Sequence, residues 1–150
     1  MYDTILVPLD GSKRSEIIIN HITKLAQNFN SKLILLTAVE PRLLQGSEDV
    51  VVPGRSLSTT REETKKAETY LSNLQKELSQ NDIQVETRVI TGSPAAVIKE
   101  TAEQENADII AIASHGRGGL ARVFYGSVAA AILNQIDRPL LLVRSRNIKE

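Results

Sequence analysis

Short runs of leucine and β-branched residues alternate along the chain with longer stretches in which apolar residues recur at three and four positions. The first run, Thr4-Ile5-Leu6-Val7, is closed by Pro8. Beyond Gly11 and Ser12, the residues Ile18, Ile22, Leu25, Ala26 and Phe29 form one stripe on a helix, and Asn30-Ser31 end it. A second apolar run covers residues 33–39. Ala67, Tyr70, Leu71, Leu74 and Leu78 then mark a second amphipathic helix that stops near Asn81. Residues 85–90 read as a third strand, followed by Gly92-Ser93-Pro94, where Ser93 is placed to cap a helix and Pro94 to occupy its first position. That helix runs to about Asn106. Residues 109–113 form a fourth strand, residues 116–119 a glycine-rich loop, residues 127–135 a last helix, and residues 140–143 a fifth strand.

Strands alternating with helical crossovers predict a parallel sheet covered on both faces, and nearly continuous apolar strands fit that burial. The expected fold is therefore α/β, a five-stranded parallel doubly wound sheet forming one domain over residues 1–150. Residues 41–59 break the pattern. They contain two prolines and two glycines and show no period, so they read as a long loop.

Composition narrows the function classes. Eighteen basic residues balance eighteen acidic ones, nine of each in either half, which excludes a polyanion-wrapping body. With five aromatic residues and no Trp, a base-stacking surface has little to build on, so no nucleic-acid partner is expected. Cysteine is absent, removing disulfides, thiolate metal sites and cysteine nucleophiles. No run approaches the roughly 20 apolar residues of a membrane span, and no signal-peptide pattern opens the chain. A cytoplasmic location with no membrane partner is the expectation.

In open α/β sheets ligands collect at the carboxyl ends of the strands. Pro8-Leu9-Asp10-Gly11-Ser12 puts a carboxylate and a hydroxyl there after the first strand, although Asp10 or Ser12 could equally serve as a plain helix cap. Ala113-Ser114-His115-Gly116-Arg117-Gly118-Gly119 follows the fourth strand, and Gly126-Ser127 open the last helix. Glycines admit a phosphate close to the backbone, and a helix N-terminus offers unpaired N–H groups and positive potential. Residues 109–150 hold six basic and two acidic residues, an excess that suits an anion. Asp10 is the one carboxylate placed to share a divalent ion with bound phosphates.

Taken together, Ile5-Leu6-Val7-Pro8-Leu9-Asp10-Gly11-Ser12, the glycine loop, Gly126-Ser127-Val128 and Arg138-Pro139-Leu140-Leu141-Leu142-Val143 resemble the universal stress protein family across essentially the whole chain. Nucleotide-binding members carry a glycine, two residues, a second glycine, nine residues, then glycine and serine or threonine. Gly116, Gly126 and Ser127 match with the nine-residue gap intact, and Ala113 replaces the first glycine. The resemblance implies a Rossmann-like fold of the adenine nucleotide alpha hydrolase-like kind. It implies ATP or another adenine nucleotide as ligand, with Mg2+ held through the phosphates and Asp10. Pro8 and Leu9 would wall the pocket, Asp10 and Ser12 would lie at the ribose and phosphates, and Ala38 would offer backbone groups to the adenine. Ala113, His115, Gly116, Arg117, Gly119, Gly126, Ser127 and Val128 would form the phosphate side. It further implies a homodimer through the last strand, Leu140–Val143, and this agrees with the aggregation hazard of an exposed apolar edge. A proline at Leu141 is the substitution expected to break that pairing.

Other readings carry less. Gly116-Arg117-Gly118-Gly119-Leu120-Ala121 satisfies a dinucleotide fingerprint but lies on the fourth strand, and no Walker loop occurs. Ser114 and His115, as sequence neighbours, do not make a catalytic triad. Three functions remain open: a nucleotide-binding stress regulator with little turnover, a slow ATP-hydrolysing or phosphate-transferring enzyme, and a dimeric scaffold that has lost the nucleotide, the last resting on Ala113 alone.

Overall fold

In a computed structural model describing residues 1–41, 53–114 and 127–144, the chain alternates strand and helix throughout. The order is β1 (Thr4–Pro8), α1 (Lys13–Phe29), β2 (Lys32–Val39), α2 (Pro53–Ser79), β3 (Val85–Thr91), α3 (Pro94–Gln104), β4 (Ile109–Ala113), α4 (Ser127–Leu133) and β5 (Leu140–Val143). All the pairings are parallel, in the spatial order β3-β2-β1-β4-β5.

Side-chain alternation along the strands builds two cores. Ile5, Val7, Leu33, Leu35, Ile109 and Ala111 turn to one face and pack against Ile18, Ile22 and Ala26 of α1 and Leu71 and Leu78 of α2. Leu6, Ile34, Leu36, Ile110 and Ile112 turn to the other, against Val97, Ile98 and Ala102 of α3 and Ile132 of α4. A one-residue slip in β1 would exchange the two sets, so both cores fix its register: Ile5 opposite Leu33 and Ile109, Leu6 opposite Ile34 and Ile110. At the opposite end from the loops, the Asp108 carboxylate accepts from the Asp3 and Thr4 N–H groups at 2.9 Å each and ties β1 to the start of β4.

The two outer strands differ in chemistry. On β3, Glu86 is bridged to Lys32 at 3.3 Å and to Arg88 at 2.7 Å, and the Arg88 Nε reaches Glu105 at 2.9 Å. Charges of this kind deter strand addition. On β5, all four residues are apolar and half-buried.

Helix α2 corrects the expected loop over residues 41–59, because it starts at Pro53 and makes residues 53–59 helical. A proline without an N–H and with fixed φ suits the first helical turn. The apolar period that reveals this helix begins only at Ala67, since residues 59–66 contain no apolar side chain. Phe29 closes the α1 stripe at the surface, 41% exposed, with its ring edge-on to Tyr2 at 5.4 Å. Ser93 holds the N-cap position of α3 but its hydroxyl makes no capping bond; Pro94 begins the helix. Helix α4 ends at Leu133, two residues before the expected Gln135.

Candidate functional site

The chain leaves the sheet at Leu9, whose N–H donates to the Leu36 carbonyl at 2.8 Å and whose carbonyl accepts from the Thr37 hydroxyl at 3.0 Å. Gly11 then takes a positive φ of 84°, which an L side chain rarely adopts, and turns the backbone into α1. Across that turn the Asp10 Oδ1 accepts from the Ser12 N–H at 2.9 Å and from the Ser12 hydroxyl at 2.6 Å. The same Ser12 oxygen accepts from the Ser15 N–H at 3.1 Å and so caps α1. The plain capping role is therefore real for Ser12. It is also what aims Asp10, because the cap and the carboxylate share one hydroxyl. Ser15 completes the turn, donating from Oγ to the Ser12 carbonyl at 2.8 Å and accepting from the Asp10 N–H at 3.4 Å.

Strand order explains where this turn sits. From β1 the chain crosses to β2 and β3 on one side, then returns to β4 on the other, with α1 and α2 on one face and α3 and α4 on the opposite one. The crossovers thus diverge between the carboxyl ends of β1 and β4, where such sheets open a crevice. Pro8 ends β1 and Ala113 ends β4 at that crevice. Ala38 lies near the end of β2, half-buried and opposite Ile90. Ser127 is the first residue of α4, and Val128 packs partly buried against the core under α3. The expected site residues His115, Gly116, Arg117, Gly119 and Gly126 lie outside the described residues.

Ala113 is 6% exposed, pairs with Val143 and is not among the residues of positive φ. The position of the missing motif glycine is ordinary extended strand, so a methyl group there brings no backbone strain. Ser114, 1% exposed, donates its N–H to the Val143 carbonyl at 2.8 Å and extends the β4–β5 ladder by one residue.

Among the described residues no three His, Cys, Asp or Glu side chains gather to hold a metal ion. Asp10 by itself fits only a Mg2+ ion that draws its remaining ligands from phosphate and water.

Sequence reasoning missed a second layer behind the turn. Tyr70 of α2, read from the sequence as part of the buried stripe, donates its hydroxyl to the Glu16 Oε1 at 2.9 Å. Burial first, then the Glu16 hydrogen bond and the charges of Glu16 and Asp10, push this phenol well above the usual tyrosine range, with the Ser15 hydroxyl acting in the opposite sense. The available signal was a polar tip on an otherwise apolar helix face.

The profile of the universal stress protein family matches residues 1–144. Universal stress protein MJ0577 of Methanocaldococcus jannaschii is 28% identical over 98% of this chain and 98% of its own, and its solved structure superposes with a TM-score of 0.88 over 99% of both chains. The same fold occurs in a universal stress protein solved in complex with cAMP, at 23% identity and a TM-score of 0.66 over 97% of this chain and 98% of that one. It occurs again in an Arabidopsis thaliana universal stress protein family protein with AMP bound, at 16% identity and a TM-score of 0.67 over 97% of this chain and 93% of that one. Two cores on one five-stranded sheet, an acidic turn at its switch point and a profile match over nearly the whole length lead to one assignment: the chain belongs to the universal stress protein family.

Proposed function

We propose that the protein binds an adenine nucleotide, ATP with Mg2+, in the crevice between the ends of β1 and β4, and that its nucleotide-bound dimer regulates a stress response with little or no turnover. The observation that supports the reading most is the Asp10 turn, a carboxylate hydrogen-bonded to the α1 cap just past the end of β1, beside the switch point of a doubly wound sheet. Two universal stress proteins of the same fold hold cAMP and AMP, which supports adenine as the recognised base. Ala38 backbone groups on β2 face the adenine in this reading, while Gly116, Gly126 and Ser127 carry the phosphates, with His115, Arg117, Gly119 and Val128 around them. Pro8, Leu9 and Ala113 wall the crevice, and Asp10 would hold Mg2+ together with the phosphates, the ion neutralising their charge.

The backbone at Ala113 is ordinary strand that requires no glycine, and the retention of Gly116, Gly126 and Ser127 weighs against a scaffold that has lost its ligand. The decisive experiment is calorimetric titration of ATP with Mg2+ into the parent protein and the Gly126→Val variant. A branched side chain at the phosphate site should abolish most of the binding. Equal affinity of parent and variant would remove the site, and a parent that binds neither ATP nor AMP would leave the scaffold reading standing.

A further inference from the structure

The Asp10 turn is held by the cap of its own helix, and the first turn of that helix is in turn held at Glu16 by a side chain 54 positions further along the chain. Tyr70 belongs to α2, the helix whose remaining stripe, Ala67, Leu71 and Leu78, is buried on the α1 face of the sheet. Its hydroxyl leaves that apolar stripe and meets the first turn of α1, donating to Glu16 at 2.9 Å and bordering Ser15. Those two residues are also bonded into the Asp10 turn. The Glu16 N–H donates to the Ser12 carbonyl at 3.3 Å, and Ser15 bonds both the Ser12 carbonyl and the Asp10 N–H. The α2 phenol therefore anchors the Glu16 side chain, and the Glu16 backbone and its neighbour Ser15 are hydrogen-bonded to Ser12 and the Asp10 turn.

We infer that Tyr70 is a positioning residue for the nucleotide: it touches no ligand, and through Glu16 and Ser15 it fixes the turn that presents Asp10 to the crevice. The inference rests on the proposed nucleotide site for its consequence, though not for its structural content. Two features favour this role over simple packing. The ring alone would satisfy the apolar stripe, so the hydroxyl is not required by the core. And the half-buried phenol takes as its acceptor a carboxylate on the first turn of α1, next to the residues that hold Asp10. Glu16 also benefits the start of its helix, where negative charge is favoured, so Tyr70 holds in place a group that already belongs there.

Tyr70→Phe keeps the ring and removes only the donor. Amide hydrogen exchange on the ligand-free protein should show the Ser12 and Ser15 N–H groups exchanging about tenfold faster in the variant, while Leu33 and Ile110 in the central strands stay unchanged, because a hydrogen bond to a charged acceptor is lost locally. ATP titration should show affinity weakened by about tenfold or less on the same ground. Glu16→Ala should reproduce both effects, Glu16→Gln, which keeps an acceptor, should restore most of each, and Tyr70→Phe added to Glu16→Ala should bring no further loss. Exchange that rises equally at Leu33 and Ile110 would reduce Tyr70 to a stability residue and overturn the inference. So would additive losses in the double variant, or unchanged exchange at Ser12 and Ser15. A parent protein that binds no adenine nucleotide defeats the function proposed above, and the exchange arm still decides whether Tyr70 holds the turn.

Discussion

The Arg138 guanidinium donates from Nη1 to the Ala102 carbonyl at 2.7 Å, and from the same nitrogen to the Ala107 carbonyl at 2.9 Å. One side chain thereby joins the end of α3, the approach to β4 and the approach to β5. Carbonyls at a helix C-terminus lack intrahelical partners, and a cation there also meets the negative end of the helix dipole.

Arg138→Ala should therefore destabilise the protein by about 1.5–3 kcal/mol, the range for a lost hydrogen bond to a charged group. The check is urea unfolding, in which the midpoint should fall with the slope unchanged. Arg138→Lys, with a single point charge in place of a planar fork, should recover only part of the loss. A midpoint equal to that of the parent would show that the two carbonyls are solvated just as well without it.

Glu86 gives a prediction in pH. Hydrogen bonds from Arg88 and then Lys32 hold its carboxyl below the usual glutamate range, against a small opposing effect of burial. A carboxyl lowered on folding adds stability that is fully present above its unfolded pKa of about 4.3 and is lost as pH falls through the lower folded value. At neutral pH Glu86→Gln should thus be less stable than the parent, and the two should converge as pH falls through the lowered folded value. The side chains are partly exposed, so added salt should shrink the neutral-pH difference as well. A difference that persisted unchanged in acid would mean the charge plays no part.

Much of this fold was legible because local and global signals agree. The bounds of β4 and β5 match the apolar runs at residues 109–113 and 140–143, where no polar residue interrupts the sequence. The start of α2 was hidden because its first turns carry no apolar stripe, and Pro53-Gly54 resemble a turn when context is missing. At the end of β1, the sequence order alone puts Asp10 and Ser12 just before α1, and the structure adds that Ser12 caps the helix while bonding the Asp10 carboxylate. Glu16 and Tyr70 were not legible as a pair, since contacts between helices depend on how each helix lies on the sheet.

Turnover of ATP should be slow or absent. The Asp10 Oδ1 already accepts two hydrogen bonds from Ser12, which commits that oxygen to the turn rather than to orienting an attacking water. A steady-state rate at least a hundredfold below the enzyme median of about 10 per second is expected. A rate near that median, lost in Asp10→Asn, would instead favour the phosphate-transferring enzyme.

The last prediction concerns the dimer through β5, and the backbone pattern changes which residue tests it. In a parallel strand, alternate residues direct both backbone polar groups to the same neighbour. The Pro139 carbonyl accepts from the Ile110 N–H at 3.0 Å and the Val143 carbonyl from the Ser114 N–H at 2.8 Å, so residues 139, 141 and 143 face β4. A proline at Leu141 would therefore injure the inner ladder. Leu140 and Leu142 direct their N–H and carbonyl groups to the outer edge, where a two-fold copy of β5 would accept them. The charged residues of β3 disqualify the other edge, and the helix leading into β5 leaves Leu133 50% exposed. The parent should accordingly scatter light at twice its 16.5 kDa mass at micromolar concentration, and Leu142→Pro should reduce it to a monomer. Nucleotide affinity, set at the β1–β4 crevice, should change far less. A parent of monomer mass would remove the dimer, and a dimer that tolerated Leu142→Pro would place its interface on another surface.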